Sequence, residues 1–250
     1  MADQGRNIKL ILQYDGTGLC GWQRQKGQPT VQEHLEAALS RLCNQPITVT
    51  GAGRTDAGVH ALGQAANFFT QAPRTLDEII SGGNALLPDQ IAIQSAEIVP
   101  PDFHARYSAQ GKIYYYDLFT GPIRPALFRH YVWHVGPGLD LDSMAQALTA
   151  LLGEHDFAAF QSTGTEVKTS VRTMVRTDMK KLDDGRIRIT FEANGFLRHM
   201  VRALVGTLVD IGRGRLNGPK MAHILASRDR DQAGPTAPPQ GLFLQQVIYP

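Results

Sequence analysis

Before residue 100 the chain changes hydrophobic period in an order that few folds accommodate. Ile8, Leu10, Leu12 and Tyr14 alternate with polar or opposite-facing neighbours, as in a strand, and stop at the turn sequence Asp15-Gly16-Thr17-Gly18. Thr30 followed by Glu33 has the form of a capping box, and Val31, Leu35, Leu39 and Leu42 then recur at helical spacing up to Pro46. Residues 47–50 read as a short strand, 51–58 as a Gly-rich loop and 60–69 as a third, partly buried strand. A helix is predicted over 76–86, stopped near Pro88, and a fourth strand over 91–98. The order β-α-β-β-α-β is the split βαβ pattern of a ferredoxin-like unit.

Pro100-Pro101 punctuates the chain, and the domain boundary is placed near residue 104, giving domains 1–104 and 105–250. A long β-rich stretch is predicted from Arg106 through Tyr114-Tyr115-Tyr116, with a further strand at 131–134. A helix follows over 141–152, then a hairpin of 171–182 and 186–193 turning at Asp183-Asp184-Gly185, a helix over 196–211 and a last strand over 242–248. The segment 227–240, rich in Asp, Arg, Gly and Pro, reads as a mobile loop. The expected fold class is α+β: two ferredoxin-like (RNP-like) α/β sandwich halves with mainly antiparallel sheets, joined into one extended sheet flanked by helices.

Hydrophobic residues make up 42% of the 250, enough for buried cores and incompatible with disorder, collagen-like repeats or coiled coil. The apolar runs fall far short of the roughly 20 residues of a membrane span, and no apolar stretch precedes residue 8, so a protein without membrane attachment or export signal is expected. Cys20 and Cys43 make neither a disulfide framework nor a zinc-ligand spacing, which points to a reducing cytoplasm. The net charge of +2 is unevenly shared: residues 1–105 hold 7 Lys/Arg against 10 Asp/Glu, whereas 106–250 hold 18 against 13. The basic second half is where a polyanionic partner would be sought.

Two Gly-rich motifs stand out. Gly16-Thr17-Gly18-Leu19-Cys20-Gly21 satisfies the dinucleotide-binding pattern and follows a strand, yet the next helix opens only near residue 30, and Glu36, at the spacing of the ribose ligand, falls inside it. These glycines read better as a flexible turn carrying Trp22, Gln23, Arg24 and Lys26 on a surface loop. The second motif, Gly51-Ala52-Gly53-Arg54-Thr55-Asp56-Ala57-Gly58-Val59-His60, lies between two paired strands. Its glycines allow close approach of a ligand, and Asp56 is a carboxylate suited to act as nucleophile or base. The plainer alternative is a solvated hairpin loop in which Asp56 accepts backbone hydrogen bonds and pairs with Arg54. His60 is read as structural.

The run GAGRTDAGVH at 51–60 resembles, nearly residue for residue, the active-site motif of the tRNA pseudouridine synthase A family. YDGTGLCGWQRQ at 14–25, DFHARYSA at 102–109, YYYDLF at 114–119, NGFLRHMVR at 194–202 and GLFLQQVIYP at 241–250 follow that family in order, so the resemblance spans essentially the whole chain. It implies an isomerase that converts uridine to pseudouridine at positions 38, 39 and 40 of the tRNA anticodon stem-loop, without metal or organic cofactor. It also implies a homodimer whose subunits together form a basic cleft for one tRNA. The family's catalytic aspartate falls on Asp56, the arginine two residues before it on Arg54, and the tyrosine that packs against the target base on Tyr114. The arginine that pairs with the catalytic aspartate falls on Arg202. Leu242 and Leu244 resemble the apolar contribution to the uracil pocket. Where the family has Tyr-Arg-Tyr this chain has Tyr115 in the middle, which puts any RNA contact of that arginine in doubt.

The chemistry accounts for these residue types. The N1–C1′ bond must break, the base must rotate while held, and C5 must bond to C1′. A carboxylate can attack C1′, add to C6 or take the 2′ proton on the way to a glycal. A guanidinium such as Arg202 would stabilise its charged form and fix its orientation. A uridine in a stem must first be flipped out, and Tyr114 offers a stacking face while Arg54 could fill the vacated position or hold the nucleotide. On the helix expected over 196–211, Leu197, Val201, Leu204, Val205 and Leu208 form the core stripe, with Arg198 and Arg202 one turn apart on its flank. Candidate phosphate contacts are Arg24, Lys26, Arg106, Lys112, Lys168 and Arg172. Two other classes compete: a non-catalytic RNA-binding module on the same sheets, and a nucleotide-dependent oxidoreductase using the glycines of 16–21.

Overall fold

In the computed structural model, which describes residues 5–162, 167–216 and 220–250, strand β1 (Arg6–Tyr14) buries the alternating Ile8, Leu10, Leu12 and Tyr14. Helix α1 (Val31–Cys43) begins where Thr30 Oγ1 accepts the Glu33 N–H at 3.3 Å, and ends at Asn44, whose φ of 50° is left-handed. The reciprocal capping box occurs instead in α2 (Leu76–Leu86), where Thr75 Oγ1 accepts from Glu78 N at 3.1 Å and Glu78 Oε2 accepts from Thr75 N at 2.8 Å.

Strand β2 is only Thr50–Gly51, shorter than the expected 47–50, because helix α1 claims the preceding backbone donors. Ser40 Oγ takes the Ile47 N–H at 2.9 Å and Glu36 Oε1 takes the Val49 N–H at 3.0 Å. Strand β3 (His60–Thr70) runs antiparallel to both β1 and β2, and β4 (Ile91–Val99) lies antiparallel on the other edge of β1. Chain order and sheet order together are those of a ferredoxin-like unit. This first unit runs to Gln110 and takes back Phe243–Pro250 from the far end of the chain. Within it β10 (Leu242–Ile248) pairs in parallel with β3, Phe243 opposite His60 and Leu244 opposite Ala61.

The β-rich stretch expected from Arg106 starts later. His104 folds the chain into a turn, with Nδ1 accepting the N–H groups of Arg106 and Tyr107 at 3.1 and 3.3 Å, and strand β5 begins at Gly111 (Gly111–Phe119). The second unit, Gly111–Leu242, continues through β6 (Trp133–His134), α3 (Leu141–Thr149), β7 (Gly153–Asp156), β8 (Val171–Lys181), β9 (Arg186–Ala193), α4 (Met200–Gly212) and α5 (Lys220–Ser227). Its strands β5, β9, β8 and β7 pair in that order, each antiparallel to the next. Elements β5, α3, β8, β9 and α4 repeat the succession β1, α1, β2, β3, α2, and β5-β9-β8 repeats the neighbour relations β1-β3-β2. The second half is thus a related α/β sandwich with β6, β7 and α5 inserted.

Helix α4 starts at Met200, four residues later than the periodicity suggests. His199 has a φ of 62° and the Met200 N–H bonds to Leu197 O at 3.1 Å, so residues 196–199 form a turn before the helix. Leu197 and Arg198 therefore precede α4, and the expected pairing of Arg198 with Arg202 on one helical flank is not realised. The segment 227–240, expected to be mobile, is tied to α4. Gly234 N–H donates to Thr207 Oγ1 at 2.8 Å, Ala237 N–H to Arg202 O at 3.0 Å, and the Arg230 guanidinium bonds Gly234 O at 2.9 Å. Among the described residues, no helix is long and apolar enough to cross a membrane.

The close approach of that segment to α4 depends on Gly206, since a Cβ there would lie 1.7 Å from Pro235 O. In an unhindered helix Gly→Ala stabilises by about 1 kcal/mol. Here Gly206→Ala is expected to destabilise instead, by about 1–3 kcal/mol as overpacking does, and to speed proteolysis within 227–240. Thermal unfolding and limited proteolysis check this, and an unchanged or raised midpoint with unchanged cleavage contradicts it.

Candidate active site

Asp56 sits half-buried in the loop between β2 and β3, which is braced by the chain segment leaving β1 and by β3. The Tyr14 hydroxyl, buried at the end of β1, lies 2.8 Å from Thr55 Oγ1, and Gln64 Nε2 donates to Gly53 O at 2.9 Å. Burial pushes the Tyr14 phenol up to about 12, so it stays neutral. Trp22 N–H donates to Thr55 O at 3.0 Å and Gly58 N–H to Leu19 O at 3.3 Å, which ties the two loops backbone to backbone on both sides of Asp56. Within the loop, Val59 N–H bonds to Asp56 O at 3.1 Å, closing a turn that needs the positive φ of Gly58, 76°.

Gly16 and Gly21 serve this junction. A Cβ at Gly16 would lie 2.2 Å from Val59 O, and one at Gly21 2.5 Å from Thr55 O. Gly51 faces the Trp22 indole at similarly close range, and Trp22 is 2% exposed. Trp22 is therefore a buried anchor and not a surface residue as the sequence suggested, because its ring fills the space that Gly51 leaves open. The same segment does carry Arg24 and Lys26 to the surface. His60 is structural, with Nδ1 accepting the Gly16 N–H at 3.0 Å and its ring stacked 4.6 Å from Phe243. Arg54 is exposed and donates through Nε to Gln23 Oε1 at 3.1 Å.

In the second unit Tyr114 lies in β5, 7% exposed, with its ring edge-on to Phe196 at 5.0 Å. Tyr115 points to the other face of the strand, where the Arg188 guanidinium stands 3.8 Å above its ring. Burial pushes the Tyr115 phenol up to about 12. Arg188 is held by paired bonds to the buried Asp117, Nε to Oδ1 and a terminal nitrogen to Oδ2, both at 2.8 Å, and those bonds raise its pKa further. Arg202, at the start of α4, donates Nε to Ala237 O at 2.7 Å, while the buried Tyr116 hydroxyl donates to Pro238 O at 2.7 Å. These two side chains grip the backbone that leads into β10, where Leu242 and Leu244 are 5% and 0% exposed.

Of the proposed phosphate contacts, Lys168 and Arg106 are exposed and Lys112 is half-buried. Arg106 stands over the Tyr107 ring, 5.7 Å from its centroid. Arg24 lies 3.0 Å from Glu36 Oε2, and Arg172 turns its guanidinium onto the carbonyls of Thr169 and Val171 at 2.9 and 2.6 Å, where desolvation lowers its pKa. Thr55, Phe196, Tyr116 and Asp117 are further parts of this framework, not expected from the sequence. A signal existed for the first two, since Thr55 adjoins Asp56 and Phe196 belongs to the motif at 194–202.

The chain thus carries a carboxylate on a Gly-rich loop in a ferredoxin-like unit, followed by a second unit of the same kind. The chain matches the family model described as tRNA pseudouridine synthase over residues 10–108 and 147–250, which places it among isomerases. It belongs to the tRNA pseudouridine synthase family. It is 44% identical over 244 residues to the tRNA pseudouridine synthase A of Acetivibrio thermocellus, covering 98% of this chain and 100% of that protein. The proteins of the same name from Ruminiclostridium cellulolyticum, 45% identical, and Paraburkholderia phytofirmans, 46% identical, are each matched over 98% of this chain and over 100% and 90% of their own lengths.

The Tyr14–Thr55 hydroxyl pair is the most localised support of the loop. Thr55→Val keeps the shape but leaves the Tyr14 hydroxyl without that partner, and is expected to cost about 1–3 kcal/mol of stability. Urea denaturation measures this, and a loss below about 0.5 kcal/mol, the bottom of the range for a net hydrogen bond, contradicts the assigned support.

Proposed function

We propose that this enzyme isomerises uridine to pseudouridine at positions 38, 39 and 40 of the tRNA anticodon stem-loop, with Asp56 as the catalytic carboxylate. The observation that carries the reading is the half-buried Asp56 on a loop braced by backbone hydrogen bonds to Leu19 and Trp22, in a chain of this family. A carboxylate held at one place can meet a nucleotide brought to it, which suits a reaction in which the base is cleaved, turned and rejoined without leaving. Flipping the uridine out of the stem costs a few kcal/mol, which stacking and phosphate contacts offset.

In this reading Tyr114 packs against the target base, with Phe196 edge-on behind its ring, and its phenol stands ready for the C5 proton. Arg54 takes the vacated position or holds the flipped nucleotide, and Arg202 supplies the guanidinium that orients Asp56. Leu242 and Leu244 form the apolar side of the uracil pocket. The enzyme acts in the cytoplasm as a homodimer with a basic cleft, and an active monomer at assay concentration in sedimentation overturns that part. Lys26 and Lys168, both exposed, are the strongest phosphate contacts, since Arg24, Arg172 and Arg106 already have partners. Lys112 ranks between them.

Incubation of wild-type and Asp56→Asn protein with an anticodon stem-loop tRNA, followed by carbodiimide modification and primer extension, tests the reading. Product at 38–40 from the wild type alone, with tRNA binding retained by both, is the expected outcome. Product from Asp56→Asn at the wild-type rate removes Asp56 from catalysis. Binding by both with product from neither makes the chain an RNA-binding module.

A further inference from the structure

A line of side-chain hydrogen bonds runs from the interior of the first unit to Arg54. At its inner end is Glu36, a buried carboxylate on α1 whose Oε1 accepts the Val49 N–H at 3.0 Å and Gln32 Nε2 at 3.2 Å. Gln32 and Glu36 are one helical turn apart, so they share a face of α1. Gln32 Nε2 also donates to Val49 O at 3.0 Å, while its Oε1 accepts Gln23 Nε2 at 2.6 Å and the Arg24 N–H at 2.9 Å. Gln23 in turn offers its Oε1 to Arg54 Nε at 3.1 Å. Every amide is thus used with its nitrogen inward and its oxygen outward, and turning either one over would set donor against donor and acceptor against acceptor.

We propose that Gln23 and Gln32 are positioning residues that hold the Arg54 guanidinium in one direction before RNA arrives. The inference rests on the reading that Arg54 engages the flipped nucleotide. An exposed arginine is otherwise free to sample many rotamers, and that freedom is lost when it engages substrate. The relay orders the side chain in advance, and it does so through Nε, which leaves the two terminal nitrogens chemically available for bidentate contact with a phosphate. The direction is set from the buried end, because Glu36 has two fixed backbone and amide donors and its acceptor-only carboxylate admits one polarity of the chain.

A double-mutant cycle with Gln23→Met, Arg54→Ala and the two combined, read as kcat/KM on anticodon stem-loop tRNA, tests the proposal. Gln23→Met is expected to lower kcat/KM by about 3- to 10-fold, the cost of ordering one long side chain at binding, with an unchanged thermal midpoint. The combined variant should match Arg54→Ala alone, since Gln23 acts only through Arg54. Losses that multiply in the combined variant, or a Gln23→Met enzyme at wild-type activity beside an impaired Arg54→Ala enzyme, overturn the relay. Wild-type activity of Arg54→Ala itself overturns the role of Arg54, and the relay with it, and is a distinct result.

Discussion

The backbone bonds from Trp22 N–H to Thr55 O and from Gly58 N–H to Leu19 O join segments that leave β1 and enter β3, and the arrangement of the whole first site depends on them. Ordering costs about 1–2 kcal/mol per backbone residue, and a loop with glycines at 51, 53 and 58 starts with more freedom than most. Opposing this are the burial of the Trp22 indole against Gly51, the Tyr14–Thr55 hydroxyl pair, and the fit of Gly16 and Gly21 against carbonyls of the same loop. The two glycine motifs act as one unit: the first brings its backbone close enough to brace the second. Asp56 gains a fixed backbone without a regular element passing through it.

The period-2 and helical patterns located most of the elements, because those patterns report which face is buried and burial decides the element. Helix α2 matches its expected span of 76–86, and β1, β3, β4 and β10 differ from theirs by two residues at most. The departures arise where a side chain takes over a backbone group or where the backbone itself turns left-handed. Ser40 and Glu36 claim the donors of Ile47 and Val49, His104 turns the chain after Phe103, and the left-handed His199 delays α4. Thr207 and Arg202 O hold the polar 227–240 segment in the same way, so its composition described its solubility and not its order.

The loop of Asp56 was legible because glycines, arginine and aspartate at fixed spacing form a motif in one continuous stretch. Its supports were not, because Tyr14, Trp22 and Gln32 lie in other stretches and carry no chemistry of their own. Trp22 shows the limit well: in a run of Gly, Gln, Arg and Lys it reads as a surface residue, and only the absence of a side chain at Gly51 makes room for it inside. Tyr115 is a comparable case in the second unit. The sequence shows a tyrosine in place of an arginine, while the structure places the Arg188 guanidinium over its ring and ties that cation to Asp117.

Amide hydrogen exchange at Trp22 and Gly58 tests most directly whether the loop is braced in advance of substrate. In the enzyme without RNA, the account predicts protection of both amides at the level of the β1–β3 pairing, since they open only when the two segments separate. Exchange of Trp22 and Gly58 at the rate of exposed loop amides, with β1 and β3 still protected, would contradict it.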